Sequence, residues 1–306
     1  FAEVMRRKAS MVEEFASYRR GQLQDGRFEL IRALARFRDP HTLELDDGQT
    51  VTAGHLMIST GSRVAELPLP GLAKLGCITS DDALRLESLP QSIIVLGGGA
   101  VAVEYAQFFA RFDVEVTLLQ RSPHILKAFD DDVAGEVEAA FLDEGITVHT
   151  GCSLTDARQD GNEKVIVYER DGGQHEVRAE AVFHGLGRSP NTGSLALENG
   201  GVETDNDRIL CDAHMRTSTP HIFAGGDCTG PHEIVHLAIQ QGEVAAHNIL
   251  HPGGLHSMDY RMLISVVFTD PQSATVGHTE KTAKAQGIPY LTASYPFNDH
   301  GKSIIM

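Results

Sequence analysis

Residues 92–122, SIIVLGGGAVAVEYAQFFARFDVEVTLLQRS, decide how the rest of the chain reads. Ser92 to Leu96 is a short apolar run ending at Gly97, helical spacing of apolar residues follows Gly99 as far as Phe112, and Val114 to Leu119 is strand-like again. The order is strand, glycine turn, helix, strand. Gly97 permits the tight turn, Gly99 removes a side chain where a pyrophosphate approaches the backbone, and Ala102 is small enough for close packing of helix on strand. The helix N-terminus then aims free N–H groups at the phosphates. A glycine turn alone is a weak signal, because it also serves as a tight connection. With both flanking strands present, Gly97, Gly98, Gly99, Ala100, Val101 and Ala102 read as a dinucleotide site.

The end of the second strand separates the two nicotinamide cofactors. An acid about 20 residues past the glycines accepts hydrogen bonds from an adenosine ribose, whereas an arginine accommodates a 2′-phosphate. Here Gln120 is followed by Arg121, and Lys127 lies one short loop on. Hydrogen bonds to charged groups contribute ~1.5–3 kcal/mol each, enough to select NADPH over NADH. NADP is therefore the expected nucleotide, with NAD as the alternative.

With 306 residues, 42% of them hydrophobic, the chain has room for two or three packed domains. No apolar run is long enough to span a bilayer and no secretory or transit signal is visible, so the expectation is a cytoplasmic protein without membrane contact. A formal net charge of -16 argues against a nucleic-acid partner. Cys77, Cys152, Cys211 and Cys228 lack C-x-x-C spacing and read as free thiols, with neither a metal site nor a disulfide scaffold.

Along the chain, 2–23 has the periodicity of an amphipathic helix, and ELIRALARF (29–37) and HTLELDDGQTVTAGHLMISTGS (41–62) read as short strands with turns at Asp39-Pro40 and Asp47-Gly48. After the glycine unit, 133–151 reads as helix and strand, and 163–187 as a hairpin returning to a buried strand. Together these predict a parallel βαβαβ core with a hairpin insertion. From Asn191 a short strand at HIFAGGD leads into a helix over 233–250, and 260–287 reads as strand, turn and capped helix.

Six landmarks now stand in order: MISTGS (57–62), ITSDDALRLESLPQS (78–92), GGGAVAVE (97–104), GLGRSPNT (185–192), IFAGGD (222–227) and VFTDPQSATVGHTE (267–280). They resemble the pyridine nucleotide-disulfide oxidoreductases, the flavoproteins that include dihydrolipoamide dehydrogenase, glutathione reductase and mercuric reductase. The resemblance covers essentially the whole chain. It implies an α/β fold in which an FAD-binding domain is interrupted by an inserted Rossmann-like NAD(P)-binding domain and followed by part of an α+β interface, or dimerisation, domain. On this chain that places the FAD-binding domain at 1–81 and 191–256, the NAD(P)-binding domain at 82–190 and the interface domain at 257–306.

The same resemblance implies roles for individual residues. Gly97, Gly99 and Ala102 would line the pyrophosphate, Glu104 would face the nicotinamide carboxamide, Leu154 the adenine side and Gly187 the nicotinamide half. Arg121 matches the arginine that NADPH-dependent members place on the 2′-phosphate. Where many reductases carry a gating tyrosine, this chain has Ala100. Thr60, Gly61 and Ser62 match the turn under FAD, Asp227 the aspartate on its sugar chain, and Glu233, Ile234, Val235 and His236 the segment against the flavin ring. The family's first glycine fingerprint and its redox cysteines would lie before Phe1, and its His-Pro motif after Met306. The implied activity passes hydride from NADPH to FAD and on to a disulfide or small-molecule acceptor in a homodimer. Two alternatives stand beside it: a nucleotide-binding module of the same fold without turnover, and a dihydrolipoamide dehydrogenase using NAD.

Overall fold

The computed structural model describes residues 1–230 and 232–296. Helix α1 (Ala2–Leu23) follows the predicted periodicity, yet buries none of its residues. Strands β1 (Ala35–Asp39), β2 (Thr42–Leu45) and β3 (Thr50–Thr52) form an antiparallel meander turning where the Asp-Pro and Asp-Gly pairs were read. The strand expected from residue 29 begins only at Ala35. Leu30, Ile31 and Leu34 are exposed, with no sheet or core against which an extended segment could pack.

Strands β4 (Leu56–Ile58) and β5 (Ser62–Val64) precede helix α2 (Ser80–Ala83), whose start is fixed by a reciprocal capping box of Thr79 and Asp82. The glycine unit follows as β6 (Ser92–Leu96), α3 (Ala100–Ala110) and β7 (Glu115–Leu119), and then come α4 (Asp131–Asp143) and β8 (Thr147–His149). Next are β9 (Ser153–Asp160), β10 (Glu163–Arg170), β11 (Gly173–Ala179) and β12 (Ala181–His184). The parallel sheet has the order β12-β6-β7-β8. One face packs Val95, Leu118 and Phe183 with Phe109, Val137 and Phe141 of α3 and α4. The other packs Ile94, Leu96, Leu119 and Val182 with Ile166 and Tyr168 of β10. Burial on both faces is why these strands read as unbroken apolar runs. The predicted hairpin is one part of a three-stranded antiparallel sheet, β11-β10-β9. Strand β9, SLTDARQD, has one buried residue and carried no apolar signal.

The chain then returns: β13 (Arg188–Pro190) pairs antiparallel with β5, and, after β14 (Thr204–Asp205) and β15 (Arg208–Ile209), β16 (Ile222–Ala224) pairs parallel with β4. Helix α5 (Val235–Leu250) leads to a hairpin of β17 (Ile264–Val267) and β18 (Ser273–Val276), and α6 (Glu280–Ala285) starts at a Thr279 cap. The sequence predicted one strand before the capped helix; the structure has two. Among the described residues no helix is long and apolar enough to cross a membrane. The four cysteines are free, and burial pushes the Cys211 thiol up to about 12.

One buried group conflicts with its surroundings. The Nδ1 of His184, at the end of β12, is buried without a hydrogen-bond partner, and burial holds the imidazole below the usual histidine pKa. The unfolded chain takes up this proton as pH falls through about 6.5 while the folded chain resists it, so the neutral ring's contribution is full above that pH and lost below it. His184→Val should therefore raise stability by roughly 1 kcal/mol and flatten the acid-side loss. Urea midpoints of both proteins at neutral and mildly acidic pH check this, and an unchanged pH dependence would count against it.

Candidate functional site: a cleft at the carboxyl edge of the parallel sheet

Leu96 pairs with Leu119 and Leu119 with His149, so β6, β7 and β8 end together and their following loops crowd one edge. That edge is where open parallel sheets bind ligands. Here it holds a cleft of about 1040 Å³ lined by Gly97, Gly98, Gly99 and Ala100, by Gln120, Arg121 and Lys127, and by Leu154 and Gly187. Glu233, Ile234, Val235 and His236, from the N-terminal end of α5, line it as well. Residues read as nucleotide-facing and residues read as flavin-facing thus share one cavity.

The three glycines differ in what they permit. Gly97 has φ +105°, and a Cβ there would sit 2.3 Å from the Gly185 carbonyl oxygen. At Gly98 a Cβ would come within 2.9 Å of the Gln120 side chain. At Gly99 nothing lies within 4 Å, so the missing side chain leaves open space at the N-cap of α3, where no side chain caps the helix. Uncapped first-turn N–H groups facing such space suit phosphate oxygens. Ala102 is fully buried, and a Cβ on Gly185 would approach its Cβ to 2.8 Å. Val101 is exposed and lies outside the lining.

Gln120 works on the loop around it. Its side chain packs under Gly98, and its Oε1 accepts the Arg121 N–H at 3.0 Å. The loop is held further by the Leu126 N–H on the Gly98 carbonyl at 2.6 Å and by Glu138 Oε1, which accepts the Ile125 N–H at 2.9 Å. Arg121 and Lys127 are left exposed at the cleft. Glu138 was not visible as a site residue, because only the fold brings α4 under this loop.

Thr60, Gly61, Ser62 and Asp227 lie outside this lining, beyond the carboxyl ends of the paired strands β4 and β16. Ser62 Oγ donates to Asp227 Oδ2 at 2.7 Å, and Arg188 donates to Ser62 Oγ at 2.6 Å and to the Ser62 carbonyl at 2.9 Å. Gly61 and Gly226 take left-handed φ of +68° and +80°, as tight turns beside a ligand require. The Gly226 N–H is held by Gln241 Oε1 at 2.7 Å. Burial, and then the negative charge of Asp227, raise the Glu233 carboxyl above the usual range, while Arg188 and Arg208 oppose this. Glu233 lines the cleft and feels the charge of the Asp227 cluster. Glu104 does not line the cleft; its Oε1 accepts the Phe268 N–H at 2.8 Å.

Sequence reasoning missed Arg188 and Gln241, and it missed the wall formed by residues 264–268. Arg188 stood beside Gly187 in a quoted landmark and could have been found. The wall had no signal, since its apolar residues read as an ordinary strand.

Comparison with known proteins identifies the family. Residues 2–242 match the family described as "Pyridine nucleotide-disulphide oxidoreductase", and residues 263–306 match its dimerisation domain. The chain belongs to the pyridine nucleotide-disulphide oxidoreductase family. Among relatives in this family, a mercuric reductase of Staphylococcus aureus is 34% identical over 281 residues, 91% of this chain and 51% of that protein. A dihydrolipoyl dehydrogenase of Geobacillus stearothermophilus is 33% identical over 311 residues, 100% of this chain and 65% of that protein. The solved structure of the HOCl-induced flavoprotein disulfide reductase RclA from Escherichia coli superposes with a TM-score of 0.85 at 26% identity, covering 94% of this chain and 66% of that one. The chain thus spans from about half to about two thirds of the length of these family members.

Proposed function

We propose that this chain carries the nucleotide-binding and part of the flavin-binding machinery of an FAD-dependent oxidoreductase that draws hydride from NADPH and passes electrons to a disulfide or small-molecule acceptor. The observation that supports it most is the shared cleft: the glycine turn and the Arg121 and Lys127 pair open into the cavity lined by residues 233–236. In this reading Gly97, Gly98 and Gly99 let the backbone meet the pyrophosphate, the α3 N-terminus neutralises it, and Arg121 and Lys127 hold the 2′-phosphate. Ala100, Leu154 and Gly187 contact the nucleotide, and Ala102 keeps α3 close to β6.

The residues present also fit a flavin. The left-handed turns at Gly61 and Gly226 and the Ser62, Asp227 and Arg188 cluster form a polar cradle, and Glu233 to His236 lead from it to the cleft. A bound flavin would supply the hydride acceptor that no side chain of this chain provides. Asp227 and Thr60 to Ser62 would orient its sugar chain, and Glu233, whose carboxyl burial raises above the usual range, would lie beside it.

The excursion of the chain from β4 and β5 and its return through β13 and β16 supports an FAD-binding domain of 1–81 and 191–256 around an NAD(P)-binding domain of 82–190. The interface domain proposed for 257–306 includes residues 297–306, which lie outside the described residues. The dimerisation-domain match supports a homodimer, and the acidic chain without a membrane-crossing helix among the described residues fits a cytoplasmic enzyme.

The full-length protein should purify with flavin absorbance that NADPH bleaches under anaerobic conditions. Nucleotide binding by a colourless protein would favour a binding module without turnover. Bleaching by NADH alone would favour the NAD-dependent alternative.

A further inference from the structure

Helix α3 does more than present its N-terminus. Glu104, Gln107 and Arg111 lie three and four residues apart on one of its faces and reach the segment that follows β17. Gln107 Oε1 accepts the Asp270 N–H at 2.7 Å, and Gln107 Nε2 donates to the Asp270 carbonyl at 2.8 Å and to Glu144 Oε1 at 2.9 Å. The side-chain amide thus pairs with Asp270 on both sides, as a neighbouring strand would. Arg111 donates to Glu144 at 2.6 Å and to the Asp270 carboxylate at 2.7 Å.

These bonds hold the carboxyl end of a short segment with two distinct faces. Val267 is 1% exposed and belongs to the core of α3 and the parallel sheet, whereas Ile264, Val266 and Phe268 stay exposed and line the cleft. Gln107 itself is 4% exposed, so water cannot readily replace its bonds and truncation strands a backbone N–H and a carbonyl together. The cleft wall is therefore pinned to the helix whose N-terminus faces the phosphate site.

We infer that Gln107 is a positioning residue that sets how closely the 264–268 wall encloses the nicotinamide half of the nucleotide. The inference rests on the nucleotide reading of the cleft. The loop after β7 carries Arg121 and Lys127 at the adenosine end, whereas the wall is tied to α3, so its contacts fall on the half beyond the pyrophosphate.

The test is calorimetric titration of the full-length holoprotein with NADP+ and with adenosine 2′,5′-bisphosphate, which keeps the 2′-phosphate and lacks the nicotinamide half. Gln107→Leu should weaken NADP+ about tenfold or more and leave the bisphosphate within about twofold. Gln107→Glu keeps the side-chain size but loses the donor and sets a carboxylate against Glu144. Its ratio of NADP+ to bisphosphate affinity should start low at about pH 8 and recover toward about pH 5.5, as protonation returns a donor. Equal losses for both ligands would make Gln107 merely structural and overturn the inference, as would an unchanged NADP+ affinity or no recovery at low pH. A wild-type protein that binds neither ligand overturns the nucleotide reading as well, and that titration alone tells the two failures apart.

Discussion

Arg121→Glu combined with Lys127→Ala should cost NADPH binding at least about tenfold per lost contact, since each 1.4 kcal/mol is a factor of ten. Both side chains are exposed at the cleft, on a loop that Gly98, Gln120 and Glu138 already hold in place. Their removal therefore takes away the proposed phosphate ligands without dismantling the loop. The glutamate adds repulsion against a group bearing close to two negative charges. NADH binding should change little or improve. Gln120→Glu alone should move preference the same way by adding the ribose-binding acid that β7 lacks, although it also removes the amide beneath Gly98. The quantity to measure is the NADPH to NADH ratio of flavin-reduction rates in the full-length protein. If the ratio is unchanged in both variants, Arg121 and Lys127 are solvated bystanders and the loop does not select NADP over NAD.

The second large effect separates two neighbouring glycines. Gly97→Ala forces a side chain into a left-handed position and to 2.3 Å from the Gly185 carbonyl oxygen, so backbone must move between β6 and β12. A destabilisation on the order of 3 kcal/mol is expected, with nucleotide binding lost alongside it. Gly99→Ala is the contrast. Gly99 has φ −79° and nothing within 4 Å of an added Cβ, so its stability should stay near wild type. The methyl group nevertheless enters the space where the pyrophosphate is proposed to lie, and nucleotide affinity should fall. Urea unfolding midpoints paired with nucleotide titrations resolve the two. Equal loss of stability in both variants would mean that the glycines serve packing alone, and undiminished binding by Gly99→Ala would move the phosphate elsewhere.

What was legible in the residues is local. The strand, glycine turn, helix and strand of 92–119 were readable because a two-sided parallel sheet demands unbroken apolar strands, and because a left-handed turn at Gly97 tolerates no side chain. The caps at Thr79 and Thr279, and the turns at Asp39-Pro40 and Asp47-Gly48, likewise depend on near neighbours. The family, too, could be recognised from the order of its landmarks. Tertiary structure alone decided the rest. Residues 29–34 have a strand's composition yet form no strand, with only the Leu34 carbonyl tied to the sheet through the Asp46 N–H, whereas polar β9 becomes a strand because β10 offers it an edge. The contacts of Arg188 with Ser62, of Glu138 with the Arg121 loop and of Gln107 with Asp270 join residues 126, 13 and 163 positions apart. Such contacts leave no periodic trace in a single sequence. A side-chain amide or carboxylate reads the same whether it meets water or a backbone from another part of the fold, and only packing determines which.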